Sequence, residues 1–325
     1  MFSLKQVLRA GVLTGAAVLS VLSAQAQEYP TKTIRFIAPI PAGGSTEVLA
    51  RDVAQRLSDR WGHPVVVENR PGGAGSIGSA MVAAAPADGY TILLVNSSHS
   101  INPHVYKRLP FDAIKDFTPV SLMVDLPMGI FVHPSVPAKN LGELIALIKA
   151  RPEKYSFASS GNGGAGHLTG QMFQQQTGVK VVHVPYRGSA LAVNDVVAGQ
   201  VPILFADVPV AAPYVKSGAL RALGVTSDKR LASMPDAPTF QEAGVSGMDL
   251  SVWIGVLAPA NMPPAITRKL SDTIAAILKE PAMAERVRGR GFNIVASTPE
   301  EFSAVIRKDF ERFGRVVRET GVKVE

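Results

Sequence analysis

The sequence predicts two successive α/β units, each a mostly parallel sheet flanked by helices. Three observations carry this. Short β-branched runs alternate with four-residue helical periodicity along most of the chain. The 325 residues contain no cysteine, so stability must come from burial, and the length suffices for two ordinary cores. Finally, two long extended stretches, VSLMVDLPMGIFVHP (120–134), broken by Pro127 and Gly129, and DLSVWIGVLAPANMPP (249–264), separate the blocks as connections between units would.

Taken in order, MFSLKQVLRAGVLTGAAVLSVLSAQAQ has a basic start (Lys5, Arg9), an apolar run from Ala10, and small residues at Ala24 and Ala26. It reads as a secretory signal peptide over 1–26, cleaved near Ala26, and too short in its apolar run for a membrane span of roughly 20 residues. TIRFIAP (33–39), VVVEN (65–69) and TILLVN (91–96) read as strands, and Leu49, Val53, Leu57 and Trp61 mark one face of a helix. The same alternation resumes with YSFASS, a helix through Leu168 and Met172, VVHVP, PILFAD and LRALGVT. Pro263-Pro264, Pro281 and Pro299 then open three helices in the first-turn position that proline tolerates. If both extended stretches are crossovers, the chain builds part of one lobe (27–126), then a second (127–250), and returns to the first (251–325). Such a path makes a hinge with a cleft.

The formal charge is +7, of which Lys5 and Arg9 belong to the leader, leaving +5. The basic residues are interspersed with acids, without the dense Lys/Arg block of a nucleic-acid-binding surface. The mild positive field favours encounter with small anions.

Two glycine loops spell G-x-G-x-x-G: Gly161, Gly163 and Gly166 in SSGNGGAGH, and Gly73, Gly75 and Gly78 in PGGAGSIG. A dinucleotide site also needs an acid about 20 residues on for the ribose hydroxyls. The next strands end in Pro185-Tyr186-Arg187 and in Asn96-Ser97-Ser98, so no cofactor is expected. Glycine turns that open helices still present N–H groups and a partial positive end to an anion. The two strongest such loops are PIPAGGSTEVLAR (39–51), where Ser45 and Thr46 can cap the helix, and SSGNGGAGHLTG, one in each expected unit. Either is also explained as a plain helix cap.

Catalytic and metal signatures are scarce. No G-x-S-x-G elbow, Walker loop or H-E-x-x-H occurs. His99 and His104 are separated by Asn102-Pro103, which is expected to prevent one continuous helical face. Glu47 and Asp207 follow strand ends as a conceivable acid/base pair, though capping or water ordering explains them equally well.

PAGGSTEVLAR, VENRPGGAGSIGSAMVAAAPADGYTILL, SINPHVYKRLPFDAIKDFTPV, SFASSGNGGAGHLTGQMF, VPYRGSALAVNDVVAGQV, GALRALGVTSDKR and STPEEF follow in this order. Together they resemble the Bug family, the extracytoplasmic substrate-binding proteins of tripartite tricarboxylate transporters. The resemblance implies a two-lobed, Venus-flytrap periplasmic binding fold, type II-like, that holds a carboxylate between its lobes with amides, hydroxyls and water. It implies a first-lobe loop of Ala42, Gly43, Gly44, Ser45 and Thr46. It implies a second-lobe loop of Ser159, Ser160, Gly161, Asn162, Gly163 and Gly164, with His167 in the helix, and Ser98 and Asp207 bordering the cleft. Two departures lie beside that pocket: Glu47 stands where many relatives have aspartate, and Phe205-Ala206-Asp207 where many read Phe-Asp.

The expectation is therefore a periplasmic, monomeric solute-binding protein without enzyme activity. It would deliver a small organic carboxylate to two integral membrane permease subunits and bind no nucleic acid. The alternatives are an exported hydrolase or oxidoreductase using Glu47, Asp207 or His167, and a ligand-binding sensor.

Overall fold

The computed structural model describes residues 29–321 apart from 41, 43, 44, 232 and 249, and of 45, 74 and 320 the backbone alone. The expected leader, Gly43 and Gly44 lie outside the described residues.

The first block runs β1 (Ile34–Ala38), α1 (Ser45–Trp61), β2 (Val65–Asn69), α2 (Ser76–Ala83), β3 (Thr91–Asn96) and α3 (Ser98–Val105). β4 (Phe117–Val132) leads to α4 (Leu141–Ala150), β5 (Ser156–Ser159), α5 (Ala165–Thr177), β6 (Val182–Pro185), α6 (Ser189–Val197), β7 (Ile203–Asp207), α7 (Val208–Lys216) and β8 (Arg221–Val225). β9 (Ser251–Pro259), α8 (Pro264–Lys279), α9 (Pro281–Gly289), β10 (Asn293–Ile294) and α10 (Pro299–Thr320) complete it. The three proline-opened helices form as expected, and Thr298 and Glu301 close a capping box on the last. On α1, Leu49, Val53 and Leu57 are fully buried, as their spacing requires.

The strands join into one curled mixed sheet in the order β2-β1-β3-β9-β4-β7-β5-β6, with β10 and β8 also on β4. β1 pairs in parallel with β2 and β3, and β5 with β6 and β7, as strand–helix alternation predicts. Both long stretches contain strands, β4 and β9, paired antiparallel to each other over 117–127 and 251–259. β8 runs in the same direction as β5, β6 and β7, but it pairs with β4, antiparallel to it as β7 is.

Pro127 and Gly129 do not break β4, for local reasons. Pro127 is the last β4 residue paired with β9, opposite Ser251, and the next residue, Met128, pairs with Asp207 of β7. The missing N–H thus falls where the ladder changes partner. A Cβ on Gly129 would lie 2.5 Å from the Phe131 ring, so glycine makes room for that side chain. A second proline reading is also corrected. α3 continues through Pro103, carrying both His99 and His104, because the proline sits in its last turn and the helix stops two residues later.

Thr226 pins the place where both long strands pass between the sheet halves. Its hydroxyl accepts from the Met128 amide at 2.9 Å and donates to the Leu250 carbonyl, and the side chain is buried. Thr226→Val leaves a buried donor and acceptor unpaired, at a cost of about 1–3 kcal/mol. The expected result in calorimetry is a Tm lower by roughly 2–12 °C; an unchanged Tm would show that the strands re-pair without the hydroxyl.

α10 straps the two halves. Near its start Phe302 packs edge-on against Trp253, whose indole N–H donates to Asp309 at 2.7 Å. Towards its end Phe313, Val316 and Val317 share a core with Ile101 of α3 and Phe173 of α5.

Candidate ligand-binding site

Strand direction places the strand ends that lead into the glycine loops opposite each other. β3 is antiparallel to β9, and β9 to β4, so β3 runs with β4, and its last residue Asn96 lies level with Ile254 and Val124. β7 runs against β4 and ends with Asp207 beside Met128. The carboxyl ends of the two parallel sheet halves therefore point at one another across about 13 Å of β4, four residues at 3.3 Å each. Ligands of open α/β sheets bind outside the carboxyl ends of strands.

On the first side, α1, α2 and α3 all begin at this edge. Gly75, in the left-handed region (φ 93°), stands before α2, and Ser97 before α3. A Cβ on Gly78 would lie 2.8 Å from the Pro39 Cβ, so glycine lets α2 press against the loop after β1. Asn69 holds that loop by donating to the Ile40 carbonyl at 3.1 Å. Ala42 is exposed, Ser45 opens α1, and Thr46 and Ser98 line a cavity of about 320 Å³ that sinks between the helices. Glu47 is buried and ion-paired with Arg51, which reaches on to the Asn69 amide oxygen at 3.1 Å. It braces the loop through that pair.

On the second side, the loop 159–164 is organised from beneath by two histidines. Gly163 donates its amide to His167 Nδ1 at 3.0 Å, which makes Nδ1 the acceptor, and the other ring nitrogen lies 3.2 Å from the side-chain amide of Gln171. The His183 ring stacks on His167 with centroids 3.9 Å apart, and its Nε2 lies 2.7 Å from Ser159 Oγ, which donates onward to the Gly161 carbonyl. Burial holds both imidazoles well below their usual range, at about 4, and for His183 the neighbouring His167 adds to it. Ser159, Gly163 and His167 thus form the buried underside of the loop, Ser160 and Asn162 are exposed, and Gly161 and Gly164 are intermediate. Gly161 and Gly163 both need positive φ (147° and 70°), and Gly164 stands before α5.

Asp207 is at the cap position of α7 without capping it, and burial raises its carboxyl to about 6. Glu47 and Asp207 stand on opposite halves of the sheet.

Sequence reasoning set PGGAGSIG aside with the dinucleotide reading, yet Gly72 and Gly75 line the cavity beside Thr46. His183 carried no local signal, because only the fold stacks it on His167. A larger cavity of about 870 Å³ lies between α7 and 288–291, and no described residue of either glycine loop lines it.

The profile of the family described as "Tripartite tricarboxylate transporter family receptor" matches residues 49–322. The chain belongs to this family. It is 37% identical to Protein BugT of Bordetella pertussis over 302 residues, 92% of this chain and 93% of BugT. A solved periplasmic transporter matches with a TM-score of 0.80 and 39% identity, over 91% of this chain and all of the other. An adipate-bound R. palustris protein matches with a TM-score of 0.80 and 33% identity, over 91% of this chain and 99% of that one. The family and its structural neighbours are solute-binding receptors, so this chain is a receptor and the exported-enzyme alternative falls. Among the described residues, no helix of the receptor is long and apolar enough to cross a membrane.

Proposed function

We propose that this receptor is exported by its leader, is cut near Ala26, and captures a small organic carboxylate in the periplasm for a permease with two integral membrane subunits. It acts as a monomer, with 27–126 and 251–325 forming one lobe and 127–250 the other. The observation that carries this reading is the opposition, across the middle of β4, of the strand ends and helix N-termini that flank the two glycine loops. The adipate bound by the R. palustris relative supports a carboxylate.

The proposed contacts are Ala42, Gly43, Gly44, Ser45, Thr46 and Ser98 from the first lobe and Ser160, Gly161, Asn162 and Gly164 from the second. Ser159, Gly163 and His167 hold the second loop in shape, and Asp207 borders it. A ligand touching both lobes favours the closed arrangement by its differential affinity for it.

A thermal-shift panel of the chain from Gln27 tests this, with aliphatic and aromatic carboxylates, acidic amino acids, and NAD and NADP. A bound ligand at 100 times Kd adds about 2.7 kcal/mol, a shift of several degrees. Carboxylates are expected to raise Tm and dinucleotides to leave it unmoved. A response to NAD or NADP alone would return the loops to the reading their spelling first suggests.

A further inference from the structure

The cavity beneath the first-side loops has chemistry more specific than carboxylate binding requires. Its walls are mostly apolar, with Ile40, Leu94, Val95 and Phe111 among them; Ser79, Asn96 and Asn102 add neutral polar groups, and among the described residues no Lys, Arg, Asp or Glu lines it. Its one histidine, His99, is buried with Nε2 against the Ala113 carbonyl at 2.8 Å, and burial holds that ring neutral, near 4. The polar groups that line it are neutral, and three of them mark helix starts: Thr46, Gly75 and Ser98 each stand at or before the first turn of a helix. One anionic end is thus served at the mouth. A second carboxylate pushed inside would lose its hydration with no opposite charge to replace it. At about 320 Å³ the space is at the small end of ligand pockets, the size of a ring with a short substituent.

We infer that the ligand is a carboxylate with one anionic end and an apolar, ring-sized body, and that the body occupies the cavity lined by Ile40, Leu94 and Phe111. This rests on the carboxylate-receptor reading and narrows it. The carboxylate sits between the two lobes, where the second-lobe loop can close over it, and Asp207 on that side disfavours a second anionic group.

Titration calorimetry on the chain from Gln27 tests the inference with benzoate and cyclohexanecarboxylate against succinate and citrate. Two variants accompany it: Ser79→Phe, which projects a ring from α2 into the cavity, and Phe111→Ala, which removes a wall from a half-buried position. The ring acids are expected to bind at least about tenfold tighter than succinate or citrate, and each folded variant to lose about tenfold or more of that affinity. If Ser79→Phe does not fold, as circular dichroism would show, Phe111→Ala carries the test alone. Succinate or citrate binding as tightly as the ring acids overturns the inference and leaves the carboxylate reading standing. Ring acids binding equally well to wild type and variants also overturn it, because the body then lies elsewhere. If no carboxylate binds at all, the carboxylate reading falls and the inference with it.

Discussion

Gly166→Ala is expected to lower Tm by several degrees and to weaken ligand binding, although it adds only one methyl group to a helix. A Cβ there would lie 2.6 Å from the Phe205 carbonyl oxygen and 3.1 Å from the Ser159 Cβ. The first of these is backbone in the buried strand β7, so the nearest atom cannot swing away; α5 must lift off the sheet instead. Overpacking of this kind costs about 1–3 kcal/mol, against roughly 1 kcal/mol that alanine gains over glycine in a helix. Each kcal/mol lost lowers Tm by about 2–4 °C in a chain of this size class. The consequence for binding follows from what α5 carries at its start: the glycine turn, and His167 as the anchor of Gly163. Gly289→Ala is the control, because a Cβ there meets nothing within 4 Å. Calorimetry and ligand titration on both variants should show a lower Tm and weaker binding for Gly166→Ala only. An unchanged Tm would mean that α5 and β7 separate without cost.

That glycine also explains how a dinucleotide spelling arises in a receptor. In SSGNGGAGH, Gly161 and Gly163 supply the turn with positive φ, and Gly166 allows the helix to approach the strand. In PGGAGSIG, Gly73 (φ 54°) and Gly75 (φ 93°) make the turn, and Gly78 allows the approach to Pro39. These are the mechanical tasks that glycines perform in a nucleotide fingerprint. The motif therefore reports a strand–turn–helix with a close approach, and the absent acid was the informative residue about the ligand.

The elements and both loops were legible because periodicity and turn residues are local signals. Strand direction was not: VSLMVDLPMGIFV and SVWIGVLAP alternate and bury alike whichever way their neighbours run, so the antiparallel core of the sheet had no signature. Nor did the cavity. Ile40, Leu94 and Phe111 each look like ordinary core residues, and only the convergence of α2 and α3 on β3 turns them into walls. Proline misled twice, at Pro103 and Pro127, for one reason: its missing N–H falls at the end of a helix or at a change of ladder partner, where its loss costs little.

Acid is expected to act on this receptor in two opposed ways. His99, His167 and His183 are held near 4 by burial, against about 6.5 in an unfolded chain. Above pH 6.5 both states are neutral at these sites and the fold keeps its full stability. Between 6.5 and 4 the unfolded chain takes up protons that the folded one refuses, so stability falls as pH falls, by up to about 1.4 kcal/mol per pH unit for each ring. Protonating His167 would also set an Nδ1–H against the Gly163 N–H it now accepts from, breaking the loop. Asp207 works the other way on binding. Its carboxyl, raised to about 6 by burial, is charged at pH 7.5 and repels an anion beside it, and it loses that charge as pH falls below 6. Tm measured from pH 7.5 to 4.5 should therefore decline, and less steeply in His183→Gln than in wild type. Over the same range affinity should rise towards pH 5 before the histidines titrate, and the rise should vanish in Asp207→Asn. A rise that survives in Asp207→Asn would place the proton on the ligand. A flat wild-type profile would remove Asp207 from the ligand's surroundings, while leaving the opposed loops as the site.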